Sequence, residues 1–369
     1  MKSSLSIICL LLNIFLASCS FQTTLFKEVN KEKKNDNLLI SPLSAYQVLG
    51  LTANGAKGET LEQMLTALEN VNLEEVNTVN KLILNAKKDI SSIEIANAVM
   101  TRDQPKKSFE LAASLYEATV DTLKDVIQVN NWCNINTHEN IPKILEELDP
   151  NTVMVLLNAI YFKGTWKTEF NKTDTKEKDF FNLNEKGATK VQTMNLKEKL
   201  NYSGDKSVQI VELPYKNDYM SALIILPYES KDINDFIAEL DDDKLQSLIK
   251  KMSPKLVELE LPKFRFDCDT NFNEALKNMG MVLPFDEASD FTGILDDPSI
   301  YISNVVQKSL LLVDEEGTEA SSATSESIST KGMPQIEQMH VNRPFLFMLR
   351  SKKFPINYEM LFMAKVGKL

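Results

Sequence analysis

Histidine, cysteine and glycine are scarce in this chain. Its 369 residues include two His, four Cys and 11 Gly. His340 has no nearby cysteine or acidic cluster at metal-ligand spacing, so the donors of a zinc site are lacking. The few glycines form neither a phosphate-binding P-loop nor a dinucleotide fingerprint. We therefore predict no metal site and no cofactor.

The residues that could support enzymatic chemistry are also poorly placed. His138 follows Cys133 by five positions, a spacing that does not put two side chains on one helix face, so a cysteine nucleophile with its base is not favoured. Glu315 and Glu316 are adjacent, and in a strand they would point to opposite faces. We predict that the protein is not an enzyme. A cysteine hydrolase remains an alternative that a Cys133→Ala variant would test.

The N-terminus carries an apolar run with the features of a secretory signal. Residues 5–17 are apolar, Lys2 precedes them, and small residues follow. The run is too short for a membrane-spanning helix and predicts a signal peptide over residues 1–19. The stretch Leu16-Ala17-Ser18-Cys19 resembles a bacterial lipobox, so lipid anchoring at the cell surface through Cys19 is the alternative to secretion.

The mature chain then retains two cysteines and two glycosylation sequons. Cys133 and Cys268 do not make a disulfide framework, although one bridge between them stays open. The sequons begin at Asn171 and Asn201 and are relevant only in a eukaryotic secretory pathway.

Charge and composition describe a soluble globular protein. The net charge is −11, and the basic residues are scattered, so we predict no nucleic-acid partner. Hydrophobic residues make up 43% of the chain, enough for a large core. No Pro/Gly-rich stretch divides residues 20–369, which we interpret as one domain.

Hydrophobic periodicity indicates an α+β fold. Apolar residues at helical spacing predict helices over 61–68 and 233–240. Alternation over 257–261 predicts a half-buried strand, and the continuous apolar runs 219–226 and 360–366 suit central strands. Helices dominate the first half and strands the second.

One segment near the C-terminus is unusual. Residues 314–332 are rich in Ser, Thr, Ala and Glu, a composition typical of a solvated linker. However, from Thr318 to Lys331 there is no Pro and no Gly. Every residue there keeps an N–H that a strand could use, so the segment could become a strand.

Several motifs in one order carry a family resemblance that covers essentially the whole mature chain. The stretch Glu315-Glu316-Gly317-Thr318-Glu319-Ala320 resembles the proximal hinge of the serpin reactive-centre loop in its protease-inhibiting form. Other matching segments are 38–44, 52–60, 158–166, 212–215, 291–293 and 342–347. The resemblance implies a serpin fold, with three β-sheets, eight or nine helices and an exposed reactive-centre loop over about 315–340.

The resemblance also implies a mechanism, which is suicide inhibition of a protease. After cleavage, the N-terminal part of the loop inserts into the main sheet, so the uncleaved fold must be metastable. Counting from Gly317, the fifteenth residue is Lys331, and the implied scissile bond joins Lys331 to Gly332. Slippage by one residue, to Thr330 or Gly332, stays open. A lysine there suits the acidic specificity pocket of trypsin-like proteases.

The inserted face would consist mainly of small residues. By alternation, the inward residues are Thr318, Ala320, Ser322, Thr324, Glu326 and Ile328. Burying Glu326 without a partner is costly, so this residue speaks against efficient insertion. A non-inhibitory serpin, acting as a carrier, chaperone or storage protein, is the alternative function.

Further positions match the family's structural regions. Ser41, Ser44 and Asn158 match the shutter beneath the opening sheet, and Trp166 matches the breach where the loop first enters. Glu315 and Lys263 match an ion pair that holds the hinge. Gln307 stands where many serpins have a shutter histidine; Gln can still donate and accept hydrogen bonds.

The expected partner is an extracellular trypsin-like serine protease, and we expect a monomer. Some serpins bind heparin through a basic helix, but the corresponding stretch here, residues 73–77, is acidic. We therefore predict no heparin activation.

Overall fold

The computed structural model describes residues 20–90, 93–137, 139–162, 164–229, 231–317, 335–355 and 358–369. These residues form nine α-helices and fourteen β-strands. The helices are α1 (Ser20–Glu32), α2 (Pro42–Ala53), α3 (Gly58–Ala67), α4 (Leu73–Lys87), α5 (Lys107–Ser114), α6 (Val126–Asn136), α7 (Ile233–Ala238), α8 (Asp242–Lys251) and α9 (Asn273–Asn278). No helix in these ranges is long and apolar enough to cross a bilayer.

The first sheet has five strands and carries the functional region. Its order is β10 (Phe264–Asn271), β11 (Asn304–Val313), β4 (Met154–Phe162), β2 (Ile93–Thr101) and β3 (Thr119–Thr122). The central neighbours β11 and β4 are parallel, whereas β10 pairs with β11 and β2 pairs with β4 in antiparallel fashion.

The second sheet has nine strands. Along it lie β1 (Leu38–Ile40), β14 (Met360–Val366), β13 (Phe345–Ser351), β8 (Met220–Pro227), β7 (Val208–Pro214), β6 (Thr189–Gly204), β9 (Ser253–Pro262) and β12 (Ile336–His340), with β5 (Lys176–Phe180) also paired to β6. We expected three sheets. Two of them are joined here because β6 runs for 16 residues without a proline and pairs with β7, β9 and β5.

Helix α2 lies in the core behind the five-stranded sheet. It contacts β2 and β4 on one side and β14 of the second sheet on the other, and all twelve of its residues are buried. The helix begins after Ser41, whose hydroxyl accepts a hydrogen bond from the Ser44 N–H, and Pro42 occupies the first turn. A polar N-terminus is thereby held against the sheet.

Helix α6 covers the opposite, front face. Its Val129, Trp132 and Cys133 pack with β4 and β11 residues such as Leu157 and Leu310 in a second apolar cluster. The helix therefore packs on the front of this sheet, and its Trp132 indole N–H also donates to the Thr119 hydroxyl of β3 at 3.2 Å.

The periodicity-based predictions are largely confirmed. The run 61–68 falls in α3, 233–240 in α7, 257–261 in β9, and 360–366 matches β14. The boundaries differ by up to four residues, because the ends of an element are not set by the apolar pattern alone.

Candidate functional site

The candidate site lies along the seam between β4 and β11. These parallel strands are directly paired, from Asn304 opposite Val155 to Leu310 opposite Tyr161. Past that point β4 ends at Phe162, while β11 continues to Val313 beside β10. A strand that followed β11 through a tight turn would run antiparallel to both neighbours. The seam can therefore accept a strand from the segment that follows β11.

That tight turn is present at residues 314–317. The Asp314 N–H donates to the Gly317 carbonyl at 3.2 Å, and the Asp314 carboxylate accepts from the Glu316 N–H at 3.0 Å. Gly317 also bridges Thr165, the residue beyond β4, in antiparallel fashion. Its φ is +119°, and a Cβ there would stand 2.2 Å from the Gly164 carbonyl oxygen. Only glycine fits this position.

Glu315 is held by an ion pair to the sheet. Its carboxylate lies 2.7 Å from Lys263 Nζ and accepts a hydrogen bond from the Thr175 hydroxyl at 2.7 Å. Burial opposes ionisation, but these hydrogen bonds outweigh it and hold the pKa of the Glu315 carboxyl below its usual value. The structure thus brings together the predicted pair.

Glu316 points elsewhere and pairs with Lys172. We expected Glu315 and Glu316 to be in a strand with side chains on opposite faces, and that expectation was wrong, because Asp314 and Gly317 close a turn around them. The two carboxylates nevertheless bind different lysines. They do not form an acid/base pair.

Trp166 packs against this turn and donates hydrogen bonds to it. Its indole is fully buried and stacks on Tyr215 with ring centroids 4.3 Å apart. The indole N–H donates to the Asp314 carbonyl at 2.9 Å, and the Trp166 N–H donates to the Glu316 carbonyl at 3.1 Å. We call Trp166, Tyr215 and the turn 314–317 the breach. One aromatic pair therefore anchors the turn that follows β11.

A buried amide network crosses the seam lower down. The Gln307 amide donates to Asn158 Oδ1 at 2.6 Å and to the Ser41 carbonyl at 3.0 Å, and its oxygen accepts from the Ser41 N–H at 2.6 Å. The Asn158 amide donates to the Ser44 hydroxyl and, at 2.5 Å, to Asn97 Oδ1. We call these five residues the shutter. They tie β11, β4 and β2 to the N-terminus of α2.

Asn97 was missed from the sequence. It faces Asn158 across the β2–β4 pair and is almost fully buried. An amide in the middle of a mainly apolar strand was the available signal, since a buried amide requires partners.

The C-terminal end of the loop is anchored by β12. This strand pairs with β9, and polar side chains reinforce the ladder: Glu337 binds Lys255 at 2.9 Å and His340 Nδ1 lies 2.8 Å from Glu260. Burial works against the Glu260 charge, but hydrogen bonds from Lys178 and His340 prevail, so the pKa of this carboxyl is lowered. The half-exposed His340 has a structural partner.

The remaining sequence candidates are placed as follows. Cys133 and Cys268 are free thiols, so the bridge left open from sequence does not form here. Burial raises the pKa of the Cys133 thiol to about 12, which leaves almost no thiolate at neutral pH. Within the described ranges no group of three His, Cys, Asp or Glu side chains could hold a metal.

Other candidates lie outside the described residues: the signal segment with Cys19, His138, the hinge residues Thr318, Glu319 and Ala320, Glu326, and the reactive bond Lys331–Gly332.

A cluster of buried charged residues centred on Glu212 was also missed from the sequence. Arg350 lies 2.7 Å from Glu212, which also contacts Lys352 at 2.9 Å and accepts from the Asn201 amide at 2.8 Å. Despite the cost of burial, the hydrogen bond from Arg350 and those from Asn201 and Lys352 lower the pKa of Glu212 to about 2. Charged residues within the apolar strands β7 and β13 were the available signal.

Comparisons with known proteins agree with this geometry. Residues 16–368 match the family model described as Serpin (serine protease inhibitor). The leukocyte elastase inhibitor of Xenopus laevis is 33% identical over 366 residues, with 92% of this chain and 95% of that protein covered.

Solved structures share the fold. The native state of tengpin, a thermophilic serpin, superimposes with a TM-score of 0.87 at 33% identity, covering 96% of this chain and 93% of that one. Human thyroxine-binding globulin in complex with its hormone has a TM-score of 0.86 at 22% identity, covering 95% and 96%. These matches confirm the predicted fold.

Proposed function

Because this chain belongs to the serpin family, we propose that it inhibits trypsin-like serine proteases as a suicide substrate. The protease attacks the Lys331–Gly332 bond and remains esterified to Lys331. The segment from Thr318 then enters the seam between β4 and β11 and carries the protease with it. The protein is consumed as a substrate and does not act as an enzyme.

The observation that carries this proposal is the double pairing of Gly317. It bridges Asp314 at the end of β11 and Thr165 beyond β4, both in antiparallel fashion. When both bridges are extended residue by residue, they converge on one register, in which Thr324 falls between Gln307 and Asn158. Those two residues are already opposite each other across the seam. The turn is therefore aligned for strand entry without any shift of register.

The same register assigns the other inward residues. Thr318 falls beside Val313 and Ser322 between Ser309 and Ile160, all of which are buried. Small side chains suit these positions, because the residues that flank them leave little space for larger ones. Twelve residues, from Thr318 to Ser329, would extend roughly 40 Å at about 3.3 Å per residue, enough to move an attached protease to the far end of the sheet.

Glu326 is the poor fit. In this register it falls between Leu156 and Val305, both completely buried in the apolar core. The carboxylate would have to be neutralised or to keep its end of the strand out of the sheet. This residue favours the alternative, a non-inhibitory serpin. Thyroxine-binding globulin, which resembles this chain in fold alone, has been solved in complex with thyroxine.

Incubation with trypsin tests the proposal. We expect an SDS-resistant complex with the combined mass of the two proteins, and a released C-terminal peptide that begins at Gly332. The complex should be lost in Lys331→Ala and retained in Lys186→Ala, which changes an exposed lysine elsewhere. Cleavage without a trapped complex would reject suicide inhibition. A complex that persists in Lys331→Ala would reject the assigned bond.

The site of action follows from the proposed signal peptide over residues 1–19. We propose that the mature protein is a secreted monomer that meets its protease outside the cell without heparin, with surface anchoring through Cys19 as the alternative. Mass spectrometry of the N-terminus distinguishes the two, since a lipidated Cys19 carries added acyl mass.

A further inference from the structure

The sequence contains two N-glycosylation sequons, at Asn171-Lys172-Thr173 and Asn201-Tyr202-Ser203. The motif alone does not indicate which of the two asparagines is glycosylated. The structure does, because Asn171 is exposed, whereas Asn201 is partly buried in a strand and its amide nitrogen is hydrogen-bonded.

Asn171 is exposed at the surface turn between the breach and β5, and residues 172–174 after it are exposed as well. Its Oδ1 accepts hydrogen bonds from the Thr173 N–H at 3.1 Å and from the Thr173 hydroxyl at 2.9 Å. The amide nitrogen points away from these contacts and donates no hydrogen bond within the described part of the chain. The sequon is folded on itself, with the nitrogen available.

Asn201 is partly buried, and its amide is bound to a buried partner. It lies in β6 between partners on β7 and β9, and its amide nitrogen donates to the buried Glu212 carboxylate at 2.8 Å. Tyr202, the middle residue of this sequon, is 3% exposed. A sugar on the Asn201 nitrogen would displace the amide from Glu212 and leave that buried carboxylate without this hydrogen bond.

We propose that Asn171 is an N-glycosylation site of the secreted protein and that Asn201 is not. The co-reactant is a lipid diphosphate-linked oligosaccharide. A bond forms between Asn171 Nδ2 and C1 of the first sugar, the bond from C1 to the diphosphate oxygen breaks, the lipid diphosphate leaves with the electron pair, and Nδ2 loses one proton. The inference rests on the proposed secretion through a eukaryotic pathway.

The attached glycan would stand at the edge of the breach. Lys172 directly follows Asn171 and pairs with Glu316 of the hinge turn, and the Phe170 N–H donates to the Glu315 carbonyl at 2.8 Å. The sugar would therefore border the face of the molecule from which the loop departs, while the seam itself stays uncovered.

The test is secretion of the chain from insect cells behind a host leader, followed by site-specific mass spectrometry. We expect one glycan, on Asn171, which is lost in Thr173→Ala. It should be retained in Ser203→Ala, a matched control that destroys the second sequon but leaves the bond from Asn201 to Glu212 intact.

Two outcomes would overturn the inference: secreted protein with an unmodified Asn171, or folded protein that carries sugar on Asn201. Either result is separable from the proposed function, because the same samples can be assayed for the SDS-resistant complex with trypsin. An unglycosylated protein that still traps trypsin would overturn only the glycosylation site.

Discussion

Glu326 gives the most demanding prediction of the insertion model. In the register set by Gly317 its side chain falls between Leu156 and Val305, which are both buried in the apolar core. Burying the Glu326 side chain as a neutral acid costs less than burying it as an unpaired anion. With an ordinary Glu pKa of about 4.3, neutralising the group at pH 7 costs about 4 kcal/mol, a large part of the stability of an ordinary domain.

The sign of the pH dependence follows from the direction of this shift. If the loop inserts in this register, burial would raise the pKa of the Glu326 carboxyl above its value in the free loop. The inserted state is therefore favoured fully below about pH 4.3 and loses stability as the pH rises toward 7. The Glu326→Gln variant should lack this loss, because an amide carries no charge.

The assay is thermal melting of loop-cleaved protein. Wild type and Glu326→Gln are first cleaved with trypsin at pH 8, the free cleaved protein is separated from any trapped complex, and it is then melted at pH 7 and pH 4.5. We expect the cleaved variant to melt higher than cleaved wild type at pH 7, with most of the gap closing at pH 4.5. Glu319→Gln is the matched control, since alternation places residue 319 on the other face. Equal melting of cleaved wild type and Glu326→Gln at pH 7 would refute the register.

Two further predictions concern buried polar groups. Gln307→Ala should lower the free energy of unfolding of the uncleaved protein by about 1–3 kcal/mol, because its shutter partners lose their hydrogen bonds. The control is Gln192→Ala, at an exposed position. Equal urea midpoints for the two variants would contradict the network. The depressed pKa of Glu212, about 2, implies a stabilisation present above pH 4.5 and lost as the pH falls toward 2, about 3 kcal/mol in total. Urea midpoints across that range should fall less steeply in Glu212→Gln, and parallel curves would refute the assignment.

Local structure could be predicted from the sequence where it depends on residues that are close together in the chain. The alternation of Val257, Leu259 and Leu261 predicts β9, and an uninterrupted apolar run predicts β14. The breach turn was also encoded, since Asp314 and Gly317 are favoured at the first and fourth positions of a type I turn. We instead expected a strand there, but the Thr- and Ser-rich stretch that could form a strand begins only after Gly317.

Long-range pairing was not predictable from periodicity. Nothing in the pattern of β4 or β11 says that they are parallel neighbours, because that choice depends on the whole sheet. The pairing of Glu315 with Lys263 was anticipated only through the family resemblance. The charges within β7 and β13 could have predicted a buried ion pair, since an isolated charge in an apolar strand needs a partner, but not which partner.

The central claim is that the uncleaved protein is metastable, because β4 and β11 are paired without the strand that their hinge is aligned to supply. Twelve inserted residues would add backbone hydrogen bonds worth roughly 1 kcal/mol each. The direct measurement is the melting temperature before and after cleavage at Lys331. We predict a large rise on cleavage, and an unchanged or lower melting temperature would contradict the account.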